Sequence, residues 1–288
     1  MVAIYNRKTQ EIDTEVEVGG KAVVFLYETA LGRLLLKALI HPAFSRLKAA
    51  RNNTQHSAQK IQPFVEKYHI HLNEAEKTTF DSFNDFFTRR LRPDARPISE
   101  EETAIIAVAD SKLMTYPISR DGVFQVKKRA YTLQELIQDE RVAEQFMGGT
   151  CLVYRLAMDD YHRYCYPDKG KKLAARVIPG VLHSVRPIAH QHARVFSENT
   201  RHWQLLETTH SGRILYMEVG AMLVGKIHDH GAVTFVKGQE KGYFSYGGSS
   251  IVICYQKDCL KIDEDIVAAN QKGLEVQVSY GEKVGTYA

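Results

Sequence analysis

The chain has 288 residues, 44% hydrophobic and 25% charged, with a formal net charge of +4. This is ordinary globular usage, enough for one large or two smaller domains with a real core, so disorder is not the default reading; the mild positive balance permits contact with anionic surfaces without demanding nucleic acid. Four cysteines, Cys151, Cys165, Cys254 and Cys259, form no CxxC pair. They read as free thiols of a reducing cytosol rather than as a disulfide or metal framework.

The opening MVAIYNRKTQEIDTEVEVGG has no apolar h-region and no cleavage pattern, so no signal peptide is expected. No apolar run approaches the length of about 18 residues that a membrane-spanning helix needs. Lys21 to Arg51 reads as helical: Leu31, Leu34, Leu35, Ala38 and Leu39 keep helical spacing, with Arg33 and Lys37 on another face. Between Thr29 and Lys60 stand six Lys or Arg and no Asp or Glu. Such a segment suits a membrane interface, apolar side chains inserted and cations on headgroups; it equally suits a helix packed on its own core with a solvated basic face. Gln59–Ile70 and Phe80–Leu91 also predict helices, the second capped by Asp81 or Ser82. LRPDARPI, Leu91–Ile98, ends that region, because two closely spaced prolines do not continue a helix.

From about Thr103 short apolar or alternating runs appear: Ala104–Val108, Val123–Val126, Cys151–Leu156, Ile214–Val219, Val233–Val236, Ile251–Tyr255 and Leu274–Val278. These predict strands. Thr132–Phe146 reads as a helical insert, with Thr132 and Glu135 as a capping box. The expected architecture is α+β: a helical region over 1–100, then a β-rich catalytic domain over 101–288 with barrel-like sheets, the boundary falling near Arg96–Thr103.

Three motifs carry chemistry. Tyr246-Gly247-Gly248-Ser249-Ser250 precedes the strand-like Ile251–Tyr255. Gly-Gly-Ser-Ser is commonly only a turn. The chemical reading is that Gly248 lets the backbone bend, so that the Ser249 hydroxyl attacks the Gly248 carbonyl and an ester replaces the amide. Elimination then leaves dehydroalanine, which tautomerises to an imine that water hydrolyses, releasing ammonia and leaving a pyruvoyl group, an electron sink that can form a Schiff base with an amine. Asp160-Tyr161-His162-Arg163 offers a general base in His162, or a structural histidine. Val108-Ala109-Asp110-Ser111 places a carboxylate just after a strand, where it could orient such a base. His228-Asp229-His230 could set two metal ligands on one strand face, but a polar turn is preferred and no metal is expected.

Taken together, these motifs resemble the phosphatidylserine decarboxylase family. FNDFFTRRLRPDARPI (Phe83–Ile98), VADS (Val108–Ser111), YRLAMDDYHRY (Tyr154–Tyr164), LHSVRPIA (Leu182–Ala189), VFSENTRHWQLLET (Val195–Thr208), GAMLVGKI (Gly220–Ile227) and KGQEKGYFSYGGSS (Lys237–Ser250) follow its order. The resemblance implies a proenzyme that cleaves itself between Gly248 and Ser249 into chains 1–248 and 249–288, with Ser249 as pyruvoyl precursor and Asp110 and a histidine serving the cut. It implies phosphatidylserine as substrate, phosphatidylethanolamine as product, peripheral attachment to the cytoplasmic side of an anionic membrane, and a homodimer.

Three departures stand out. Cys165 occupies the place of a second family histidine, three residues after His162, that often serves as cleavage base. Either His162 takes that role, or Cys165 or His183 does. A cysteine could act so only with its pKa lowered from about 8.5. Gly247 replaces a usual leucine, and Ser111 a usual glycine. Two other readings share the sequence: a pyruvoyl decarboxylase of a soluble, for example aromatic, amino acid, and a β-rich binding protein in which Gly-Gly-Ser-Ser is only a turn.

Overall fold

The first hundred residues break into short helices for local reasons. In the computed structural model, which describes residues 3–14, 20–122, 124–126, 129–186, 188–222, 226–247 and 249–288, the expected long helix is three: α1 (Gly20–Glu28), α2 (Ala30–Leu39) and α3 (Pro42–Asn52). Thr29 ends the first and caps the second, its hydroxyl oxygen accepting from the Gly32 amide at 2.9 Å. Pro42 opens the third at a position where its missing N–H is no loss. Gly32 is needed where α2 meets α1, since a Cβ there would stand 1.9 Å from the Phe25 carbonyl oxygen.

Only Tyr27 and Leu36 of the first two helices bury large apolar side chains fully. Leu31, Leu34 and Leu35 are 60%, 64% and 47% exposed, and Leu47 on α3 is 71% exposed. The periodic leucine stripe therefore faces away from the core. The other two helical expectations shorten, to Ile61–Tyr68 behind a 3-10 turn and to Phe83–Phe87. Ser82 caps the latter, accepting from the Asp85 amide.

Residues 3–14 depart from the helical expectation for this region: Ala3–Asn6 and Glu11–Thr14 form a hairpin that extends the main sheet. That sheet has ten strands in the order Thr234–Phe235, Gly170–Ile178, Arg201–Thr208, Gly212–Val219, Ser249–Tyr255, Thr150–Leu156, Ser111–Pro117, Glu275–Val278, Ala3–Asn6 and Glu11–Thr14. Its pairings are antiparallel except Ala3–Asn6 beside Glu275–Val278. The sheet is open, so the barrel-like closure expected from the short strands does not form: Thr234–Phe235 and Glu11–Thr14 remain as edges.

Both faces of the sheet are covered, which explains why its central strand reads as a continuous apolar run. Ile251, Ile253 and Tyr255 point to one layer, with Leu113, Tyr154, Leu206 and Tyr216. Val252 and Cys254 point to the other, with Val153, Leu215 and Met217. The second layer is closed by Leu133–Ile137 and Glu140–Glu144, two helices where one was expected. Gln138 takes a left-handed conformation (φ 53°) between them, and Asp139 caps the second. Of the capping box, the Thr132 hydroxyl accepts from the Glu135 amide, while the Glu135 carboxylate pairs with Arg194. Two three-stranded sheets accompany the large one: Ile227–Asp229, Glu240–Phe244 and Arg163–Cys165; and Leu260–Ile262, Lys283–Tyr287 and Ala104–Ile106.

Candidate active site

Ser249 is the first residue of its strand, paired with Leu156, and the next residue along, Ser250, pairs with Arg155 and Val219. Alternation turns Ser249 to the same layer as Ile251 and Ile253. Its side chain is completely buried, and its Oγ has no hydrogen-bond partner among the described residues. Leaving a buried hydroxyl unmatched costs about 1–3 kcal/mol, an expense that functional sites carry more often than structural ones. Two residues earlier Gly247 has φ 137°, a conformation that side-chain-bearing residues rarely adopt. The Gly-for-Leu departure thus matches the backbone here. Gly248 lies outside the described residues.

The sheet register brings the other motifs to the same end. Ser111 pairs with Val278 and Lys112 with Arg155, so Ser111, Leu156 and Ser249 share a row, and Asp110 immediately precedes it. With strands about 4.8 Å apart, Ser111 and Ser249 lie roughly 10 Å apart across the intervening strand. His162 approaches from the small sheet, its carbonyl accepting from Phe244.

The His162 imidazole is 1% exposed. Its Nε2 donates to the Ala157 carbonyl at 2.8 Å, a contact that fixes the tautomer because a carbonyl only accepts. Nδ1 is therefore a bare lone pair, buried and unpartnered among the described residues. Burial lowers the His162 pKa to about 3, and the Arg89 and Lys112 charges push the same way. The ring is therefore neutral at physiological pH.

Its position is set by a network that the motif reading did not contain. Lys112 Nζ bonds both Asp160 oxygens at 2.8 Å, with both residues buried. Asp160 Oδ2 accepts from the Ala157 amide at 2.7 Å, and the Ala157 carbonyl holds His162. Burial pushes Asp160 up to about 7 against the pull of Lys112. Burial opposes the Lys112 charge as well, but Asp160 and Asp159 together outweigh it and the ammonium is strengthened.

The aromatic signature packs onto this site. Phe87 packs at a tilt against His162 with ring centroids 4.4 Å apart, and Tyr246 stands edge-on to both Phe83 and Phe87 at 5.1 Å. Asn84 Oδ1 accepts from the Tyr246 amide. FNDFF therefore braces the approach to Ser249, and burying such rings is worth about 1.5–3 kcal/mol each.

Asp110 is buried, but its carboxylate is committed elsewhere than to a histidine. Arg96 grips it through Nε (2.9 Å to each oxygen) and Nη2 (2.7 Å), and the Tyr280 amide donates to Oδ1 at 2.7 Å. Arg96 and Tyr280 gave no signal in the motif reading beyond the RPI that ends the aromatic block. Cys165 is completely buried, its thiol in hydrogen-bond contact with the Tyr280 hydroxyl, and burial pushes it up to about 12. His183 has other partners. Its Nδ1 meets the Tyr27 hydroxyl at 3.1 Å and its Nε2 faces Glu198 at 3.4 Å.

The four cysteines are free thiols, Cys151 facing Cys254 across paired strands. His228 bonds the Ser245 hydroxyl and His230 bonds Glu240, so these two histidines have separate partners. Asp229 instead joins Glu218 and His202 around Lys241, whose ammonium bonds both carboxylates and supplies the positive charge there.

Residues 83–286 match the family model described as phosphatidylserine decarboxylase. The chain is 44% identical over 285 residues to a protein named phosphatidylserine decarboxylase proenzyme 2 in Clostridium acetobutylicum, covering 99% of this chain and 98% of that one. It is 40% identical over 293 residues to the phosphatidylserine decarboxylase proenzyme of Clostridium novyi, with 99% of each covered. It is 39% identical over 294 residues to that of Desulfitobacterium hafniense, covering 99% and 98%. With the matched block running from the Phe83 brace past Ser249 to the last strand, the chain belongs to the phosphatidylserine decarboxylase family of carboxy-lyases.

Proposed function

We propose that this chain converts phosphatidylserine to phosphatidylethanolamine with a pyruvoyl group made from Ser249 by self-cleavage after Gly248. The observation that carries the reading is Ser249 itself: a completely buried hydroxyl without a partner among the described residues, just beyond a glycine at φ 137°. A pyruvoyl group keeps the three-carbon skeleton of serine, so the space that holds Ser249 holds it without added volume. When present it supplies a ketone that condenses with the substrate amine and accepts the electron pair left by carbon dioxide.

His162 is assigned the proton transfers. Nδ1 takes the Ser249 hydroxyl proton during cleavage, and after cleavage the same nitrogen returns a proton to the substrate carbon. The Lys112–Asp160–Ala157 network holds the tautomer that leaves Nδ1 available. Residues 249–288 would survive the cut in place, because Ser249–Tyr255 lies between Gly212–Val219 and Thr150–Leu156, and Glu275–Val278 between Ser111–Pro117 and Ala3–Asn6. The exposed Leu31, Leu34, Leu35 and Leu47, among six cations, suit docking on an anionic lipid surface from the cytoplasmic side. No helix among the described residues is long and apolar enough to cross a membrane.

Intact mass under denaturing conditions tests the cleavage. Two chains parting at Ser249, the second with a blocked terminus, are expected for the native sequence and one chain of 32.7 kDa for Ser249→Ala. Turnover of short-chain phosphatidylserine, and none of free aromatic amino acids, is expected of the cleaved form. The opposite preference would sink the substrate assignment while leaving the cleavage intact.

A further inference from the structure

Arg89 is 7% exposed, yet its guanidinium is nearly without partners. Nε is buried and unbonded among the described residues, and Nη1 makes one long contact, 3.5 Å, with the Phe86 carbonyl. The group also lies over the Phe86 ring at 5.0 Å. A guanidinium has five N–H donors, and a buried charge without an anion costs several kcal/mol.

The two carboxylates that attract Arg89 are Asp110 and Glu74, and both are already bound by Arg96, at 2.7 Å and 3.0 Å. No ion pair remains for Arg89 among the described residues. Its place is the active site: it follows the Phe87 that packs against His162, its own carbonyl accepts from Arg163 at 3.1 Å, and its charge acts on His162.

We infer that Arg89 binds the phosphodiester of the substrate headgroup, an assignment that rests on the proposed phosphatidylserine reading. The headgroup carries two anions, and the chemistry separates them. The carboxylate loses its charge as carbon dioxide leaves, so an arginine on it would stabilise the ground state more than the transition state and slow the reaction. The phosphodiester keeps its charge throughout. Holding it lowers KM without opposing the chemical step, and a planar fork of donors suits it.

The test uses Arg89→Gln and Arg89→Lys in the full chain, with cleavage and thermal unfolding followed first and a phosphatidylserine of short acyl chains, monomeric in solution, as substrate. Loss of a charged contact of this kind is expected to raise KM about tenfold or more in Arg89→Gln, with a smaller rise in Arg89→Lys and little change in kcat. Glycerophosphoethanolamine, which has the phosphodiester and no carboxylate, should lose inhibitory potency by the same factor. Unchanged KM, unchanged inhibition, or a fall in kcat alone overturns the assignment, as does failure of both variants to cleave. If the cleaved native protein does not turn over phosphatidylserine, the substrate reading fails instead. Calorimetric binding of glycerophosphoethanolamine then decides Arg89: binding that Arg89→Gln abolishes supports the inference, and no binding to the native protein refutes it.

Discussion

The identity of the cleavage base can be settled by the pH dependence of self-cleavage. Cys165 stands where the family resemblance leads one to expect a histidine, but burial holds its thiol at about 12. At pH 8 only about one chain in ten thousand would then carry the thiolate, and that fraction would rise tenfold per pH unit. His162, lowered to about 3, is wholly neutral from pH 6 to 9, and its Nδ1 lone pair does not change in availability over that range. A base of this strength makes for slow proton transfer, which suffices for a reaction each chain performs once. Precursor made by pulsed cell-free synthesis can be chased at fixed pH and its cleavage followed by denaturing electrophoresis. The rate should be flat between pH 6 and 9, Cys165→Ala should cleave at close to the native rate, and His162→Gln should be slower by about 100- to 10,000-fold. A rate climbing tenfold per pH unit and abolished by Cys165→Ala would refute the argument and make the thiolate the base.

Three further outcomes follow from the same geometry. Lys112→Met leaves Asp160 alone in the interior, which should cost about 3–5 kcal/mol and lower the melting temperature by roughly 10 °C, with partial recovery in the Lys112→Met/Asp160→Asn pair; a loss under about 1 kcal/mol would mean that the pair is not a buried clamp. His162, held at about 3 against about 6.5 unfolded, contributes stability that is present above pH 6.5 and lost as pH falls toward 3, so the native protein should lose about 3 kcal/mol more than His162→Phe between pH 6.5 and 4. Asp160, raised to about 7, acts with the opposite sign, its contribution full below about pH 4 and lost as pH rises through 7, but it is common to both proteins and cancels in the comparison. Leu34→Glu with Leu35→Glu should weaken sedimentation with anionic vesicles at least about tenfold, since each inserted leucine is worth about 2 kcal/mol, while cleavage proceeds; undiminished binding would remove these helices from the interface.

The sequence was most legible where one physical demand fixed a pattern. Ile251–Tyr255 is an unbroken apolar run because both faces of its strand are covered, and that run predicts the strand by itself. Gly170–Ile178 and Arg201–Thr208 were missed because lysines, arginines and a buried Gln204 interrupt the alternation. The leading hairpin was missed because Glu11–Thr14 is exposed throughout, and its partner strand is stabilised by pairing with Glu275–Val278, far along the chain. Arg7 adds a contact that sequence spacing cannot show, bonding Asp263, Asp265 and Glu282. In the site, Ser249, Asp110 and His162 were visible as motif residues. Lys112, Arg96 and Tyr280 were not, because a buried ion pair or an amide donated to a carboxylate leaves no local periodicity.

The departures from the family pattern make physical sense as a set. A triad needs a carboxylate free to orient its base, and Asp110 here has no such freedom, with Arg96 on one side and the Tyr280 amide on the other. The residue at the usual base position, Cys165, contacts the hydroxyl of that same tyrosine. Tyr280 lies in residues 249–288, so both contacts span the two segments that cleavage before Ser249 would separate. The His162 ring is held instead through another carboxylate, Asp160, which acts through the Ala157 peptide and is balanced by Lys112. On the proposed assignment a cysteine at position 165 is compatible with cleavage, because the tautomer-locked His162 then supplies the base and Asp110 holds the backbone of Tyr280.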